Sequence, residues 1–483
     1  MPAFEPSPAG PGGAKRAQRI ADQIERDILA NSRPAGQPLG TEAELMARYH
    51  AGRSVVREAL VLVERDGLAE MRRGKTGGLV VTIPSEAVIG GALRDYIDLV
   101  LDGWDELLRI RRELEDLALQ LAITHFDAQD LADFEALRRR YEASPDGGPK
   151  RVLSREMLHR IGVASRNPFL SLLVTALANL SIERLARDHA PSLLARSDET
   201  AQLRYEQLRA VLAASPGRAL AAGARIFELI DHMAKAPADP SELDAARRTA
   251  IADLMDAPPD RQKLAEKLCS QLKERIVTGG LREGAHLGSE PELMAAWGVS
   301  RGAVREAVRI LERNSVARMV RGKGGGLRVL RPVPSDVVRS VCVYLRLVGV
   351  QPQHVQELGE VAARLAAETA AREVDQLGAG RLQSELEDLA ALQADEPGAR
   401  PADRYSVMAA LSGSRTIGLI FGVLANLSGE EIVGARHDAN GAGGRMGAPS
   451  DLLEAILAGD ADMARRRMTQ LQPTGPGGGP SLS

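Results

Sequence analysis

The chain has 483 residues, of which 44% are hydrophobic and 3% aromatic, and a formal net charge of −3 at pH 7. With so few aromatic residues, Leu, Val, Ile and Ala must fill the cores, which favours helices over sheet-rich folds. The small net charge excludes a polycation, so any nucleic-acid contact must come from local basic patches. At roughly 150 residues per domain, we expect three or four domains.

Several other classes are disfavoured by the sequence. Cys269 and Cys342 lack zinc-finger spacing, which predicts buried thiols in a reducing compartment. No apolar run approaches the roughly 18 residues needed to span a bilayer. Residues 1–14 and 473–483 are rich in Gly and Pro, which predicts a disordered leader and tail, and the leader has no apolar segment typical of a signal peptide. We therefore expect a cytoplasmic protein.

The first motif-rich segment, residues 15–84, predicts three helices and a hairpin. Apolar residues recur at Ile20, Ile24 and Ile28, the period of an amphipathic helix. Thr41 and Glu44 fit a capping box at the start of a short second helix, and a third helix follows over residues 53–65. "RRGKTGG" between two short apolar stretches indicates a β-hairpin. This order of elements predicts a winged helix-turn-helix.

The chain contains an internal repeat. Residues 39–81 recur at 287–329, at an offset of 248 positions (287 minus 39) and without a gap, with roughly half of the positions identical. The segment "LANLS" also occurs twice. The sequence therefore predicts a mainly α protein from a tandem duplication, in which winged helix-turn-helix domains alternate with all-α helical bundles: winged helices at 15–84 and 261–333, bundles at 85–240 and 334–472, and a linker at 241–260.

Both winged-helix segments resemble one known family. "LGTEAELMARYHAGRSVVREALVLVERDGL" and "LGSEPELMAAWGVSRGAVREAVRILERNSV" are similar to the DNA-binding domain of the GntR family of bacterial transcription regulators. The family pattern is "PSE.EL", then "VSR..VREAL..LE..G", then a Gly-rich wing. The resemblance is specific because several spaced elements agree twice. It implies that both domains bind double-stranded DNA through the third helix and the wing.

Arginines dominate one face of each third helix. Arg53 and Arg57 lie four residues apart and share a face, and arginine is the best bidentate reader of guanine, at about 1–3 kcal/mol of discrimination per pair. The resemblance implies DNA contact by Arg53, Ser54, Arg57, Arg73, Lys75 and Gly77, and by Arg301, Arg305, Arg309, Arg321, Lys323 and Gly325. The alternative is a solvated face whose arginines pair with glutamates, and Glu58 and Glu306 are then the expected partners.

The two copies carry unequal charge. Residues 39–81 contain seven Lys or Arg and six Asp or Glu, a net of +1, whereas residues 287–329 contain eight and four, a net of +4. The second copy keeps "VSR" where the first has "AGR". Since neutralised phosphates supply much of the affinity for DNA, we expect the second copy to contribute more of it.

The first bundle resembles the FCD-type effector domain of the FadR-like GntR branch, through Arg111, Leu114 and Glu115 and through residues 159–170. In that family one Asp and three His often hold a metal that binds a carboxylate. Here only His159 stands at a ligand position, because Arg155, Arg204 and Ile226 align with the others. We therefore expect neither a metal nor another cofactor.

Arg155 and Arg204 stand at positions where the FCD family has metal ligands, which predicts an anion-binding pocket in place of a metal site. Arg111, Arg155, His159 and Arg204 are the candidate residues for a small anionic effector, such as a carboxylate, held by bidentate hydrogen bonds. The alternative is that Arg155 or Arg204 points outward to a glutamate. In the second bundle Ser406 aligns with His159, and "GARHDANGAGGRMG" predicts a flexible loop, so we expect this degenerate bundle to be mainly a packing partner.

Together these patterns predict a ligand-responsive, nucleoid-associated transcription regulator that acts as a covalent pseudo-dimer on an imperfect palindrome. A homodimer of two such chains, presenting four winged helices, is the alternative assembly. A non-specific or architectural DNA binder, or a ligand sensor without operator specificity, is the alternative function. An enzyme is not expected, since no GxxxxGK[ST] or HExxH motif occurs.

Overall fold

The computed structural model confirms a mainly helical fold with two small antiparallel sheets. It describes residues 11–30, 35–65, 67–72, 77–82, 84–101, 103–236, 246, 265, 268–269, 271–273, 275–276, 279, 281–313, 316–320, 322, 325–330, 334–393, 401–429 and 449–471. The chain divides into two compact units, one formed by residues 1–92 and 259–349 and the other by residues 93–258 and 350–483. Both winged helices lie in the first unit.

The first winged helix has the predicted elements in the predicted order. The elements are α1 (Pro11–Ala30), β1 (Pro38–Gly40), α2 (Glu42–Arg48), α3 (Arg53–Arg65), β2 (Ala69–Arg72) and β3 (Gly78–Val81). The sheet is antiparallel with β3 in the centre, and Arg72 pairs with Gly78 at the base of the wing. Helix α1 begins at Pro11, so the predicted disordered leader overlaps it by four residues.

The second winged helix repeats the first with the same spacing. Its elements are β4 (His286–Gly288), α11 (Glu290–Trp297), α12 (Arg301–Arg313), β5 (Ala317–Val320) and β6 (Gly326–Val329). Each element begins 248 positions after its counterpart. The strand register repeats as well, since Gly40 pairs with Leu79 and Gly288 with Leu327. The sequence repeat is therefore a repeat of structure.

The same side chains form the cores and caps of both copies. Thr41 and Ser289 each accept a hydrogen bond from the backbone three residues ahead, which confirms both capping boxes. The backbone N–H groups of Thr41 and Ser289 donate in turn to the carboxylates of Glu44 and Glu292. These hydrogen bonds lower the pKa of both carboxyl groups. Buried aliphatic residues hold α3 and α12 against their neighbours: Val56, Ala59, Leu60 and Val63 in the first copy, and Val304, Ala307, Val308 and Leu311 in the second.

Helix α13 (Pro334–Leu347), which follows the second wing, packs against the first winged helix. Val343 is fully buried in the first copy's hydrophobic core. Arg339 donates to Asp22 at 3.0 Å and to Glu25 at 2.7 Å, both on α1. The helix that follows the second wing therefore packs against the first winged helix, within one compact unit.

The two bundles are built from long amphipathic helices. The first contains α4 (Glu86–Val100), α5 (Trp104–Thr124), α6 (Ala128–Ala143), α7 (Gly148–Ala164), α8 (Pro168–Asp188), α9 (Ala190–Leu212) and α10 (Pro216–Lys235). The second contains α14 (Pro352–Arg372), α15 (Val374–Leu377), α16 (Ala379–Gln393), α17 (Pro401–Ser412), α18 (Arg415–Gly429), α19 (Pro449–Leu457) and α20 (Ala461–Gln470).

The two bundles contact each other within the second unit. Arg465 of α20 forms two hydrogen bonds with Glu113 of α5, at 2.6 and 2.8 Å. Arg109 of α5 donates to Thr369 of α14 at 3.4 Å. The second bundle therefore packs against the first, as expected.

Among the described residues, α8 is long and apolar enough by composition to cross a membrane, but 78% of its apolar window is buried inside the protein, as in a core helix. The predicted tail (473–483), the predicted flexible loop (434–447) and the predicted linker (241–260, apart from Ala246) lie outside the described residues. The domain boundaries stay predictions.

Candidate functional site

The exposed faces of α3 and α12 carry the predicted DNA-contacting side chains. Arg53, Ser54 and Arg57 are exposed on α3, while the apolar side of the helix is buried. Arg301, Arg305 and Arg309 are exposed in the same way on α12. The 3.6-residue period of the helix creates this division, because apolar residues recur on one side and arginines on the other.

One glutamate holds each pair of arginines. Glu42, the first residue of α2, accepts hydrogen bonds from Arg57 and lies 3.1 Å from Nε of Arg53. Its counterpart Glu290 lies 2.7 Å from Nε of Arg301 and 3.1 Å from Nε of Arg305. Both guanidinium groups of a pair are thereby fixed on the same side of the helix.

Of the two expected glutamate partners, Glu306 does pair with an arginine of the basic face, but the glutamates that hold the two arginine pairs, Glu42 and Glu290, were not predicted. Glu306 pairs with Arg309, at 3.3 Å, and not with Arg301 or Arg305. The actual partner precedes the arginines by 11 or 15 positions, so helical spacing cannot find it. A signal was available, since a glutamate follows the capping Thr or Ser in both copies.

The wings are described in part. Gly77 and Gly325 lie just before β3 and β6, and the Gly325 N–H donates to the carbonyl of Gly322. Gly322 has a φ of +105°, a conformation that favours glycine. The other predicted wing contacts lie outside the described residues: Arg73, Lys75, Arg321 and Lys323.

The first bundle contains a cavity of about 90 Å³ between α5, α7, α8, α9 and α10. All four residues expected to bind an effector line it: Arg111, Arg155, His159 and Arg204. Of the alternative for Arg204, the pairing with a glutamate is confirmed by Glu115, but the outward orientation is wrong, because the Arg204 side chain is 5% exposed. Sequence reasoning missed Arg151, which lies one turn before Arg155 on α7 and also lines the cavity.

A buried network fixes two of these arginines. Glu115 accepts a 2.6 Å hydrogen bond from Nε of Arg111 and a 3.0 Å bond from Nη2 of Arg204. Arg111 also stacks over the ring of Phe227. Its Nη1 atom is buried and has no hydrogen-bond partner in the protein. Burial of an unsatisfied charged donor is costly, so this atom marks where an acceptor from a ligand would be favourable.

Burial and charge act on these groups in opposite directions. Burial disfavours the ionised form of Glu115, but Arg111 and Arg204 outweigh that effect and lower the pKa of the carboxyl group. Burial, with the positive charge of Arg151, lowers the pKa of the Arg155 guanidinium. Burial is also the largest cause of the lowered pKa of Arg204. An anion in the cavity would relieve the repulsion between these cations.

The remaining cavity wall combines hydroxyl groups with aliphatic side chains. Nδ1 of His159 lies 3.4 Å from the hydroxyl of Thr175. The polar lining residues are Ser154, Thr175, Asn179, Ser181, Ser197 and Thr200, and the apolar ones are Leu158, Ala178, Ile182, Leu185, Leu193, Ile230 and Met233. This lining suits a small molecule with one anionic end and an apolar body.

Among the described residues, no group of three or more His, Cys, Asp or Glu side chains is positioned to hold a metal ion. His159 has Arg155 and Arg204 beside it in the cavity wall instead of metal-ligating side chains. Guanidinium groups do not bind cations, so the residues present do not fit the metal centre that the FCD resemblance suggests.

The corresponding region of the second bundle is filled. Gly359 stands where the 248-residue offset places Arg111, and a Cβ atom at Gly359 would lie 2.7 Å from the hydroxyl oxygen of Tyr405. Tyr405 stacks on Phe421, with ring centroids 5.8 Å apart. The aromatic ring therefore occupies space that the first bundle gives to an arginine.

Two protein-family models match the chain, one at the winged helices and one at the first bundle. The family model "Bacterial regulatory proteins, gntR family" matches residues 16–78 and 264–326. The model "FCD domain" matches residues 106–235, in the first bundle. The sites described above lie inside these three segments.

Curated relatives match over short segments. The "Uxu operon regulator" of Haemophilus influenzae is 29% identical over 122 residues, which cover 25% of this chain and 44% of that protein. The "HTH-type transcriptional repressor NanR" of Klebsiella aerogenes is 35% identical over 98 residues, covering 20% and 37%. The chain therefore matches less than half of the length of these relatives.

Two solved structures are also similar. The "Streptococcus agalactiae GntR" structure covers 45% of this chain and 99% of its own, with 19% identity and a TM-score of 0.32. A GntR-family regulator from Pseudomonas syringae pv. tomato covers 47% and 96%, with 21% identity and a TM-score of 0.21.

Proposed function

We propose that this chain, which carries two GntR-family helix-turn-helix domains and an FCD domain, is a DNA-binding transcription regulator that acts as a covalent pseudo-dimer. The observation that carries the proposal is the presence of two recognition helices, α3 and α12, in one chain. Each has an arginine pair fixed by a glutamate. The curated relatives are a regulator and repressors, which supports regulation rather than catalysis.

Two linked winged helices can bind a full operator without a second chain. Once the first winged helix has bound, the second is held at a high effective concentration near its own half-site. Two-fold helix-turn-helix proteins bind half-sites about one helical turn apart. Because the two copies differ in sequence and charge, the preferred operator is an imperfect palindrome.

The glutamate-bound arginines are suited to reading guanine. Arg53 and Arg57 are exposed, and an exposed ion pair contributes only about 0–1 kcal/mol, so a guanine can replace Glu42 at small cost. Holding the guanidinium groups beforehand reduces the side-chain entropy lost on binding. Arg301 and Arg305 have the same arrangement around Glu290.

We further propose that a small anion binds in the cavity of the first bundle and controls DNA binding. Arg111 offers a buried donor without a partner, and Arg151, Arg155 and Arg204 add positive charge to the cavity wall. The aliphatic part of the wall favours a carboxylate with an apolar body over inorganic phosphate. No metal takes part in this recognition.

Selection of random duplex DNA by the purified full-length protein tests DNA reading, with native mass spectrometry of the protein on the enriched duplex. We expect two unequal half-sites bound by one chain. Two chains per duplex would indicate a homodimer instead. No enrichment by a protein that still binds DNA would overturn the specific regulator in favour of a non-specific or architectural binder. Arg305→Ala should lose enrichment, whereas Arg225→Ala, an exposed arginine on α10, should not.

Thermal unfolding of the unaltered protein with octanoate, benzoate, succinate or phosphate tests the cavity. We expect a stabilising shift with octanoate or benzoate, and its loss in Arg155→Gln. The Arg225→Gln variant should keep the shift, because Arg225 lies outside the cavity. A shift unaffected by Arg155→Gln would place the anion elsewhere, and no shift with any of the four would reject this ligand class. We also propose that this regulator acts in the cytoplasm.

A further inference from the structure

The exposed faces of the two recognition helices are nearly identical. Arg53 and Arg57 have counterparts in Arg301 and Arg305. Among the residues that are exposed on α3, two positions differ between the copies: Ser54 is replaced by Gly302, and Val61 by Arg309. The second difference exchanges an apolar side chain for a cation.

Val61 lies within the exposed arc of α3, between Arg57 and Ser54. At 100° per residue, it stands about 40° from Arg57 and about 20° from Ser54 around the helix axis. It is 61% exposed and is therefore accessible to a bound partner. The side chain of Arg309, at the equivalent position, is 72% exposed.

The position along the helix indicates what this residue meets. Val61 and Arg309 come eight residues after Arg53 and Arg301, about 12 Å farther along the axis at 1.5 Å per residue. The major groove is about 12 Å wide. In helix-turn-helix proteins the N-terminal residues of this helix contact the base edges, so a residue about 12 Å farther along the axis lies farther from those bases, and we place it near the strands that border the groove.

We infer that Arg309 binds a backbone phosphate of the half-site held by the second winged helix, and that Val61 leaves the equivalent phosphate of the other half-site without a cation. This inference rests on the proposed function, because it requires that α3 and α12 enter DNA grooves. The ion pair of Arg309 with Glu306 is exposed and long, at 3.3 Å, so a phosphate readily replaces it.

It follows that base recognition is shared by the two winged helices, whereas the second winged helix contributes more of the sequence-independent affinity for DNA. Both copies read bases through the same arginine pair, so the two half-sites should share the bases that these arginines contact. The extra phosphate contact is independent of sequence and should add about 0.9 to the salt dependence of binding, expressed as the slope of log K against log salt concentration.

Reciprocal exchange at this position tests the inference in the full-length protein. The binding constant for a fluorescein-labelled random-sequence duplex is measured at several salt concentrations between about 50 and 200 mM. Arg309→Val should reduce the magnitude of the slope by about 0.9, and Val61→Arg should increase it by about 0.9. The matched controls are Arg225→Val and Leu131→Arg, both exposed helix positions in the other compact unit, and they should leave the slope unchanged.

The outcomes separate this inference from the proposed function. If the unaltered protein binds the duplex with a salt-dependent constant but neither exchange changes the slope, Arg309 is not a phosphate ligand and the inference is wrong. If Arg309→Val changes which bases are enriched from random DNA while the slope stays constant, the residue reads a base instead. If the unaltered protein binds no duplex at any salt concentration, the proposed function fails and this inference fails with it.

Discussion

Asn167 and Ser414 begin equivalent helices in the two bundles and make equivalent contacts. Asn167 accepts a hydrogen bond from the backbone at the start of α8, and Ser414 does so at the start of α18. Each side chain also reaches the other bundle: Asn167 donates to the carbonyl of His354, and Ser414 to the carboxylate of Glu106, and these two partners are 248 positions apart. The bundles are thus related by an approximate two-fold exchange.

Asn167→Ala should destabilise the second compact unit. The substitution removes the helix cap, worth about 0.5–2 kcal/mol, and leaves the His354 carbonyl without its donor. We expect a loss of about 2–3 kcal/mol in the free energy of unfolding, measured by urea denaturation. Ser215→Ala is the matched control, because Ser215 precedes α10 without a side-chain capping bond. Equal losses in both variants would contradict the role of Asn167.

Glu115→Gln should cost more than any exposed substitution. It would leave the guanidinium groups of Arg111 and Arg204 buried without their carboxylate, and breaking a buried ion pair typically costs about 3–5 kcal/mol. Glu206→Gln breaks an exposed pair with Arg225 and should change stability by less than about 1 kcal/mol. Chemical denaturation of both variants at pH 7 checks the difference. A small loss for Glu115→Gln would mean that water enters the network.

Asp116→Asn should stabilise the protein in a pH-dependent way. Burial, and then the neighbouring Glu113 and Glu115, raise the pKa of Asp116 to about 6, against the partial opposition of Arg112. A raised pKa means that the folded state binds its proton more tightly than the unfolded state. Ionisation therefore reduces stability progressively as pH rises from about 4 through about 6, and the full penalty remains at higher pH.

The advantage of the Asn variant should accordingly be small near pH 4 and largest above about pH 7. A two-unit shift corresponds to about 3 kcal/mol at most, and partial exposure of Asp116 reduces this to about 1–2 kcal/mol. Thermal unfolding from pH 4 to 8 measures the difference, with Asp231→Asn on the exposed side of α10 as the control. A difference that does not grow with pH would contradict the raised pKa.

Local patterns in the sequence predicted the winged helices well, because the Thr41 capping box, the apolar period of Ile20, Ile24 and Ile28, and the Gly-rich wing act over a few residues. The internal repeat also gave the correct offset for the strands and helices that the structure describes in the second winged helix, from His286 to Val329. The arginines of the cavity could be chosen because the family pattern marks their positions.

Contacts between distant segments could not be predicted in the same way. The Asn167–His354 bond joins residues 187 positions apart, and no periodic signal relates them. Glu42 was missed because it lies on α2, whereas Arg53 and Arg57 lie on α3. Only the geometry of the turn between the two helices brings these side chains together. The filling of the second bundle by Tyr405 depends on the absence of a side chain at Gly359, and packing of that kind is visible only in the folded chain.

The double substitution Glu42→Gln and Glu290→Gln should separate DNA affinity from DNA discrimination. Removing a negative charge beside each arginine pair should strengthen binding to a random-sequence duplex, because the phosphates no longer meet two carboxylates. The freed guanidinium groups then sample more conformations and must be ordered on binding, so discrimination between enriched and random DNA should fall.

We expect binding of the Gln variant to random DNA to increase by at least about threefold at low salt, and the ratio of specific to random binding to decrease by at least about tenfold, since each misread guanine pair is worth about 1–3 kcal/mol. Fluorescence anisotropy with both duplexes measures the two constants, and Glu206→Gln serves as a control far from the recognition helices in sequence. An unchanged ratio would show that Glu42 and Glu290 do not position the reading arginines. In that case the arginine pairs would acquire their geometry only on contact with DNA.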